Sequence, residues 1–173
     1  MHEGGIVLSK LQGLKEWILP MAVAIGLAVI LRVFVFNVNV VQGTSMCTTL
    51  YNGDVLVAQK LALNSIHRGD IVTAYSDSKN EFIVKRVIGL PGESIHIDEN
   101  GYIYADGVLI DEQYQSPTVG MSFTYSDIDL GENEYFLVGD NRYNSYDSRY
   151  FGAIDKSNIR DIAVFRFFPL TLY

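Results

Sequence analysis

WILPMAVAIGLAVILRVFVF, residues 17–36, divides this sequence into two parts of different character. Its only charge is Arg32, and about 20 helical residues span the roughly 30 Å hydrocarbon core of a bilayer. Trp17 suits the membrane interface, and Pro20 suits the first turn of a helix. A buried core helix would show a polar face, and a cleaved leader would carry small residues near Arg32. The stretch therefore predicts an uncleaved transmembrane anchor.

Two lysines, Lys10 and Lys15, lie on the N-terminal side of this anchor. Basic residues favour the cytosolic side of a membrane. The sequence therefore predicts a short cytosolic segment, residues 1–16, and an extracytoplasmic domain, residues 37–173. The protein would be a single-pass protein of the plasma membrane with its N-terminus in the cytosol.

The predicted domain is acidic. Residues 37–173 contain 10 basic and 18 acidic side chains, so their formal charge is −8. Nucleic-acid phosphates require a basic surface, which argues against nucleic-acid binding. The single cysteine, Cys47, excludes an internal disulfide and a Cys-based zinc site, and we predict no metal and no other cofactor.

From residue 37 onward the apolar residues follow a two-residue period, which is typical of β-strands. Short β-branched and aromatic runs are separated by turn signals such as Asn52-Gly53, Pro91-Gly92 and Asn100-Gly101. The predicted strands cover residues 38–42, 54–59, 70–75, 81–88, 94–97, 102–104, 134–139 and 162–168. We predict no second helix longer than a turn or two, so the domain is mainly β and mostly antiparallel.

The predicted strand EFIVKRVI, residues 81–88, carries two adjacent cations, Lys85 and Arg86. Because side chains alternate along a strand, the two face opposite ways and one points toward apolar packing. Lys85 could be an edge-strand lysine that discourages aggregation. If it is the inward residue, burial lowers the pKa of its amine, and a neutral lysine can take a proton from a serine hydroxyl. Ser45, in QGTSMCTTL at residues 42–50, is then its natural partner.

Other side chains could carry the same chemistry. Cys47 lies two residues from Ser45 and would share its face in an extended segment, but no nearby histidine could form a thiolate pair. The three histidines lie in no polar cluster, and we interpret them as surface residues: His2, His67 and His96.

A polar loop, GDNRYNSYDSRYFG at residues 139–152, follows a predicted strand. Its opposed charges and small hydroxyls suit mutual pairing and support of a site. We expect three contacts: Asp147 with Arg149, Asp140 with Arg86, and Ser145 with the Lys85 amine.

Three segments together resemble the boxes of bacterial type I signal peptidases. They are SMCTTL (45–50), VKRVIGLPGE (84–93) and GDNRYNSYDSR (139–149), with RGDIV (68–72) between the first two. The resemblance covers nearly the whole chain, and the spacing is similar to Gram-positive members. It implies coiled antiparallel sheets on a membrane anchor. It also implies a serine endopeptidase that cuts signal peptides from exported preproteins after small residues in an Ala-x-Ala-like pattern.

The resemblance also assigns roles to single residues. It makes Ser45 the nucleophile and Lys85 the general base, and Ser145 matches the serine that orients the lysine. The other matched residues shape the site: Arg86 beside the base, and Asp140, Arg142, Asp147 and Arg149 in the loop.

Two positions depart from this pattern. Thr48 stands where the family's first box usually has proline; the lost fixed φ loosens the turn, and a proline would fit there. Gly43 stands where some relatives carry a serine that helps bind the oxyanion. The oxyanion would then rely on the Ser45 backbone N–H, alone or with another backbone donor.

The substrate would bind as an extended strand beside the Ser45 and Lys85 segments, in shallow pockets for small side chains. We expect Met46 and Val84, which adjoin these two residues, to contact it. The predicted substrates are the signal peptides of preproteins.

The membrane is a second predicted partner. Ser45 follows Phe36 by nine residues, an extended reach of at most about 30 Å, so it would lie near the outer membrane surface. The apolar residues 38–41 and 165–169 could lie against lipid headgroups.

Two other functions fit parts of the sequence. A signal-peptidase-like factor could assist surface pilus assembly without cleavage, with pilins or pilus-assembly components as partners. A self-cleaving repressor also uses a Ser/Lys dyad, but the anchor and the lack of a DNA-binding domain argue against it.

Overall fold

The structure is a computed structural model that describes residues 3–60, 65–111, 121–124, 126–168 and 171–172, without the side chains of residues 3–16 and 171–172. Its long helix, α1 (Glu3–Ile30), continues into a π-helical segment, Leu31–Val35. The stretch Trp17–Val35 is long and apolar enough to cross a bilayer, and its side chains are not buried. Helix α1 begins well before Pro20, so the predicted place of Pro20 in a first turn is wrong.

The residues from Asn37 onward form a separate compact unit. Its strands, in chain order, are β1 (Phe36–Val40), β2 (Val55–Gln59), β3 (Ile71–Ser76), β4 (Glu81–Gly89), β5 (Ser94–Ile97), β6 (Ile103–Ala105), β7 (Val108–Leu109), β8 (Asp127–Asp129), β9 (Glu134–Val138), β10 (Ile154–Asp155), β11 (Ile159–Phe168) and β12 (Thr171–Leu172). One sheet has the spatial order β1-β2-β11-β3-β4-β9-β10, with β12 paired to β11. The other has the order β7-β6-β5-β8.

The prediction of a mainly β, antiparallel domain after one apolar helix is confirmed. Each predicted strand overlaps an observed one. The sequence did not predict β7, β8, β10 and β12, which are two or three residues long. Strands this short depend on their pairing partners more than on their own residues.

Strand β4 lies between β3 and β9, and its two faces pack into different parts of the core. Ile83 and Val87 face a cluster that includes Leu137. Val84 packs against a second cluster, which includes Met46 and Leu50. Side chains alternate along β4, so Lys85 and Arg86 leave it on opposite faces.

The residues predicted to contact lipid divide into exposed and buried members. Val38 and Val40 of β1 are exposed, and so are residues 167–168 of β11. Val41 is 3% exposed and packs in the core, so a lipid contact at this residue is wrong. Pro169 lies outside the described residues.

Candidate active site

Ser45 lies in a tight turn after β1. The Cys47 N–H donates to the Thr44 carbonyl at 3.0 Å, and the Leu50 N–H donates to the Met46 carbonyl at 2.8 Å. The Met46 and Leu50 side chains are buried in the core. They hold the turn from below, while Ser45 stays half-buried at its surface.

This turn corrects two predictions, because residues 45–50 coil instead of extending. Met46 is 2% exposed and packs among core side chains, so the predicted contact with substrate is wrong. Cys47 does not alternate with Ser45 along a strand, so the expected shared face is wrong as well.

Lys85 reaches Ser45 from β4. Its Nζ donates to the Oγ of Ser45 at 2.7 Å and to the carbonyl of Val84 at 3.2 Å. The residue is 4% exposed, which rules out the solvated edge-strand lysine that the sequence left open. Lys85 therefore points inward, as a lysine that accepts a proton from a serine hydroxyl must.

Burial lowers the pKa of Lys85 from 10.5 to about 8, because an apolar surrounding disfavours the ammonium form. The carboxylate of Asp147 opposes this change, and the nearby charge of Lys79 adds to it. With a pKa of about 8, roughly a tenth of the lysine is neutral at pH 7. This amine can therefore accept a proton from the hydroxyl beside it.

Arg86 leaves the other face of β4 and pairs with Asp140, as predicted. Its Nε and Nη2 donate to the two Asp140 oxygens at 2.8 and 2.6 Å, and its Nη1 donates to the Gly69 carbonyl at 2.6 Å. Asp140 also accepts a hydrogen bond from the Thr49 hydroxyl. The buried pair thus joins β4 to the turn that carries Ser45.

A second buried ion pair organises the loop at residues 139–152. Arg149 donates from Nε and Nη2 to Asp147 at 2.8 and 2.9 Å, which confirms the predicted contact. Arg149 also donates to the carbonyl of Arg142, whose side chain is buried too. Asp147 accepts from the Gly139 N–H at 3.0 Å. The loop is therefore folded around this pair.

Two asparagines to which the sequence analysis gave no role join this loop to the turn. The Asn141 N–H donates to the Ser45 carbonyl at 3.0 Å, and its Nδ2 donates to the Thr44 carbonyl at 3.0 Å. The Nδ2 of Asn144 donates to the Thr44 hydroxyl at 2.8 Å. Their position in a polar loop was the only signal, since Thr44 is 97 and 100 residues away in sequence.

Ser145 does not make the predicted hydrogen bond to Lys85. Its Oγ is buried and has no hydrogen-bond partner among the described residues. A Cβ built on Gly139 would lie 2.2 Å from this Oγ and 2.5 Å from the Ser45 carbonyl oxygen. The hydroxyl thus lies beside Gly139, near the Ser45 backbone, while the Lys85 amine is engaged by Ser45 and Val84.

The backbone at residues 43–45 leaves the Ser45 N–H available as a hydrogen-bond donor. Gly43 has a φ of +87°, which favours glycine, and its N–H donates to Oδ1 of Asn52 at 3.0 Å. The Ser45 N–H, predicted to bind the oxyanion, has no acceptor among the described residues. It can donate to a ligand.

Thr48 is strained. Its φ is +106°, and a β-branched residue rarely adopts such a value. Proline has a fixed φ near −65°, so it cannot adopt this backbone. The expectation that the turn keeps a shape suited to proline is therefore wrong for this chain.

Ser45 and Lys85 line an open groove of about 810 Å³. Residues 38–40 and 42–45 contribute one part of its lining, and residues 81–85 contribute another. Val84 is among them, where a substrate contact was expected. Residues 81–85 pair with β3, whereas the described pairing with β9 starts at Arg86. One edge of β4 is therefore open to a further strand along the groove.

The described histidines lie apart from this groove, whose other charged lining residues are Lys79, Glu81 and Arg160. His67 and His96 are exposed, as interpreted, and His2 lies outside the described residues. Within the described ranges, no three His, Cys, Asp or Glu side chains gather as a metal site would require.

Comparison with known proteins gives consistent matches. A family profile described as "Signal peptidase, peptidase S26" matches residues 14–168. Signal peptidase I of Bacillus licheniformis is 36% identical over 172 residues, covering 93% of this chain and 92% of that protein. Signal peptidase I S of Bacillus subtilis (strain 168) is 33% identical over 174 residues, covering 94% and 93%. A crystal structure of a signal peptidase I from Enterococcus faecalis V583 matches with 27% identity and a TM-score of 0.48, covering 57% of this chain and 96% of that one.

The apolar helix, the β domain and these matches together define a membrane-anchored serine endopeptidase. The chain belongs to the peptidase S26 family of signal peptidases. Its function is that of signal peptidase I, which removes signal peptides from secreted preproteins. The family resemblance read from the three sequence boxes is confirmed.

Proposed function

We propose that Ser45 is the nucleophile of this signal peptidase and that Lys85 is its general base. The observation that carries the proposal is the 2.7 Å contact between the Lys85 Nζ and the Ser45 Oγ. A lysine can act as a base only when it is neutral, and the lowered pKa of Lys85 meets that condition.

The reaction follows from this geometry. Neutral Lys85 takes the proton of the Ser45 hydroxyl as the oxygen attacks the scissile carbonyl. The free Ser45 N–H donates to the developing oxyanion. Lys85 then gives its proton to the leaving amine and becomes neutral again. The neutral Lys85 amine next deprotonates a water molecule, which attacks the acyl-enzyme and releases the product.

The substrate binds as an added strand in the groove. The open edge of β4 at residues 81–85 supplies main-chain partners, and Val84 contacts the side chains near the scissile bond. Residues 38–40 and 42–45 line the same groove. This arrangement suits an extended peptide with small side chains near the cut.

The remaining matched residues act through position. Arg86 with Asp140, and Arg149 with Asp147, fix the strand and the loop on which the site is built. Gly43 allows the turn that leaves the Ser45 N–H free. The buried side chain of Ser145 packs against Gly139, beside the Ser45 carbonyl.

We also propose that the chain spans the plasma membrane once, with residues 1–16 in the cytosol and residues 37–173 outside. The basic side chains of Lys10 and Lys15 support this orientation. Exposed residues 167–168 of β11 are suited to contact with lipid headgroups.

The test is cleavage of a purified preprotein by the full chain in detergent, followed by the mass of both products. Cleavage after a small residue that is lost in Ser45→Ala supports the proposal. A pilin precursor belongs in the same assay. Normal pilus assembly and processing in cells that carry only Ser45→Ala would instead support the non-catalytic assembly role.

A further inference from the structure

Strand β1 (Phe36–Val40) has its polarity reversed. Its two asparagines, Asn37 and Asn39, face inward and are partly buried, while Val38 and Val40 face outward and are exposed. A strand at the surface of a soluble domain ordinarily buries its apolar side chains and exposes its polar ones. The reversal needs a polar group inside the domain.

That group is the carboxylate of Asp161 on β11, which is 0% exposed. It accepts hydrogen bonds from the Nδ2 atoms of Asn37 and Asn39, both at 2.9 Å. Asn39 also donates to the Thr73 hydroxyl at 3.0 Å. No Lys, Arg or His of the described chain forms an ion pair with Asp161. A buried carboxylate without a cation depends on such donors.

These bonds select one register for β1. Side chains alternate with a period of two, so a slip of one residue would turn both asparagines outward. Asp161 would then face valines and lose both donors. We call Asp161, Asn37 and Asn39 the register lock.

The outward face that the lock selects is part of the groove. Val38 and Val40 line it together with Ser45 and Lys85, and Asn39 of the lock, between the two valines, lines it as well. Val40 precedes Ser45 by five residues, which is at most about 16 Å of extended chain. An extended substrate that runs parallel to β1 along this wall meets these valines several residues upstream of its scissile bond. In a signal peptide, the apolar segment approaches the cleavage site from that side.

We infer that Asp161 is a positioning residue for the substrate. The register lock presents Val38 and Val40 to the apolar part of the signal peptide. This inference rests on the proposed function, because it takes the groove at Ser45 as the substrate site. Asp161 itself does not touch the substrate; it acts through β1.

The test compares two peptides that share one cleavage site. The long peptide includes the apolar segment of a signal peptide, and the short peptide begins three residues before the scissile bond. In the full-length protein in detergent, Asp161→Ala should raise KM for the long peptide about tenfold and leave kcat within twofold. For the short peptide, kcat/KM should stay within twofold. Val40→Ser removes an apolar side chain that is inferred to contact the substrate, and it should raise KM for the long peptide alone.

Two further variants separate position from general damage. Asn39→Asp sets a second carboxylate against Asp161, and it should raise KM for the long peptide at least as much as Asp161→Ala. Combining it with Asp161→Asn restores a matched amide and carboxylate, and it should bring KM back to within threefold of wild type. Asp155→Asn, on β10 and away from the groove, is the control and should change neither peptide.

Three results would overturn the inference. One is an unchanged KM for the long peptide in a folded Asp161→Ala. Another is an equal loss of kcat/KM on both peptides. The third is a KM for the long peptide that is as high in the double variant Asn39→Asp with Asp161→Asn as in Asn39→Asp alone. This third result tests the inference even if Asp161→Ala does not fold. Failure of the proposed function is distinguishable, since Ser45→Ala would then still cleave both peptides whatever Asp161 does.

Discussion

Two adjoining regions differ in how they accommodate a buried basic side chain. We call residues 139–152 the support loop, and Ser45 with Lys85 the catalytic edge. In the support loop, Arg149 is matched to Asp147 by two hydrogen bonds. On the catalytic edge, Lys85 is also buried but bonds to a hydroxyl and a carbonyl; among the described residues it forms no ion pair, and the Asp147 carboxylate acts on it only from a distance.

The presence or absence of an ion pair decides whether a buried basic side chain fixes geometry or exchanges a proton. A guanidinium paired with a carboxylate keeps its proton and fixes geometry. A buried amine without a counter-charge gives up its proton more easily. One residue along β4, Arg86 repeats the first arrangement through Asp140. Neighbouring cations on one strand thus serve opposite purposes: Arg86 fixes geometry, and Lys85 exchanges a proton.

The largest effect is expected on the catalytic edge. Ser45→Ala and Lys85→Ala should each reduce kcat/KM for preprotein cleavage by at least about 10³-fold, because each removes a participant in the chemistry. Lys85→Arg should be as inactive, since a guanidinium does not deprotonate near neutral pH. The measurement is product formation with purified full-length variants.

Matched controls for these variants lie elsewhere in the domain. Ser94→Ala, at an exposed position of β5, and Lys156→Ala, beside β10, remove the same groups outside the groove and should keep wild-type rates. Substantial activity in Ser45→Ala or Lys85→Ala would refute the assignment of the dyad.

The support side should dominate stability. Asp140→Asn leaves buried Arg86 without its counter-charge, and it should lower the free energy of unfolding by about 3–5 kcal/mol. Lys85→Met removes an unpaired buried amine and should not lower it. Urea unfolding followed by near-UV circular dichroism measures both. Equal losses of unfolding free energy in the two variants would show that Asp140 and Lys85 contribute alike to stability.

The pH dependence of stability gives a comparable but smaller effect. The Lys85 pKa is 10.5 in the unfolded chain and about 8 in the folded one. Between these values the unfolded chain binds more protons, so stability should rise with pH by about 3 kcal/mol across this window. Lys85→Met should lack this rise, and the difference between the two pH curves is the measurement.

Activity should follow the same group. Because the base must be neutral, kcat/KM should rise about tenfold per pH unit below pH 8 and level off above it. A profile that is flat from pH 6 to pH 9 would contradict a lysine base.

The smallest effect is expected at Thr48, in the turn of the catalytic edge. Thr48→Gly relieves a positive φ, so it should raise the free energy of unfolding by about 1 kcal/mol. Thr48→Pro requires a different φ, so it should destabilise the turn and reduce cleavage. Thermal unfolding and the preprotein assay measure the two. A proline variant as stable and active as wild type would show that the turn does not need this backbone.

Much of the site could be predicted because its contacts connect recognisable boxes. Opposed charges within one loop predicted the pair of Asp147 with Arg149, and alternation along β4 predicted that Lys85 and Arg86 diverge. The strands followed from residue type and turn signals. These features are local, or they join segments whose chemistry is complementary.

Other features could not be predicted because they depend on distant backbone. Nothing near Met46 in sequence shows that the segment coils and buries this side chain. The period of β1 was visible, but its inward face is set by Asp161, more than 120 residues away. The Ser145 hydroxyl was expected on Lys85 and instead lies against Gly139, a proximity that only the folded backbone creates.

The position of β11 has a consequence for synthesis. This strand, Ile159–Phe168, lies between β2 and β3 in the sheet, although it comes late in the chain. While a ribosome is still making residues 159–168, β2 and β3 have no strand to join them, and β3 and β4 are not yet tied to the segment that carries Ser45 through the sheet. Nascent chains elongate from the N-terminus, so the domain closes at a late stage. The sheet on which Ser45 and Lys85 are held is therefore complete only after residues 159–168 have left the ribosome.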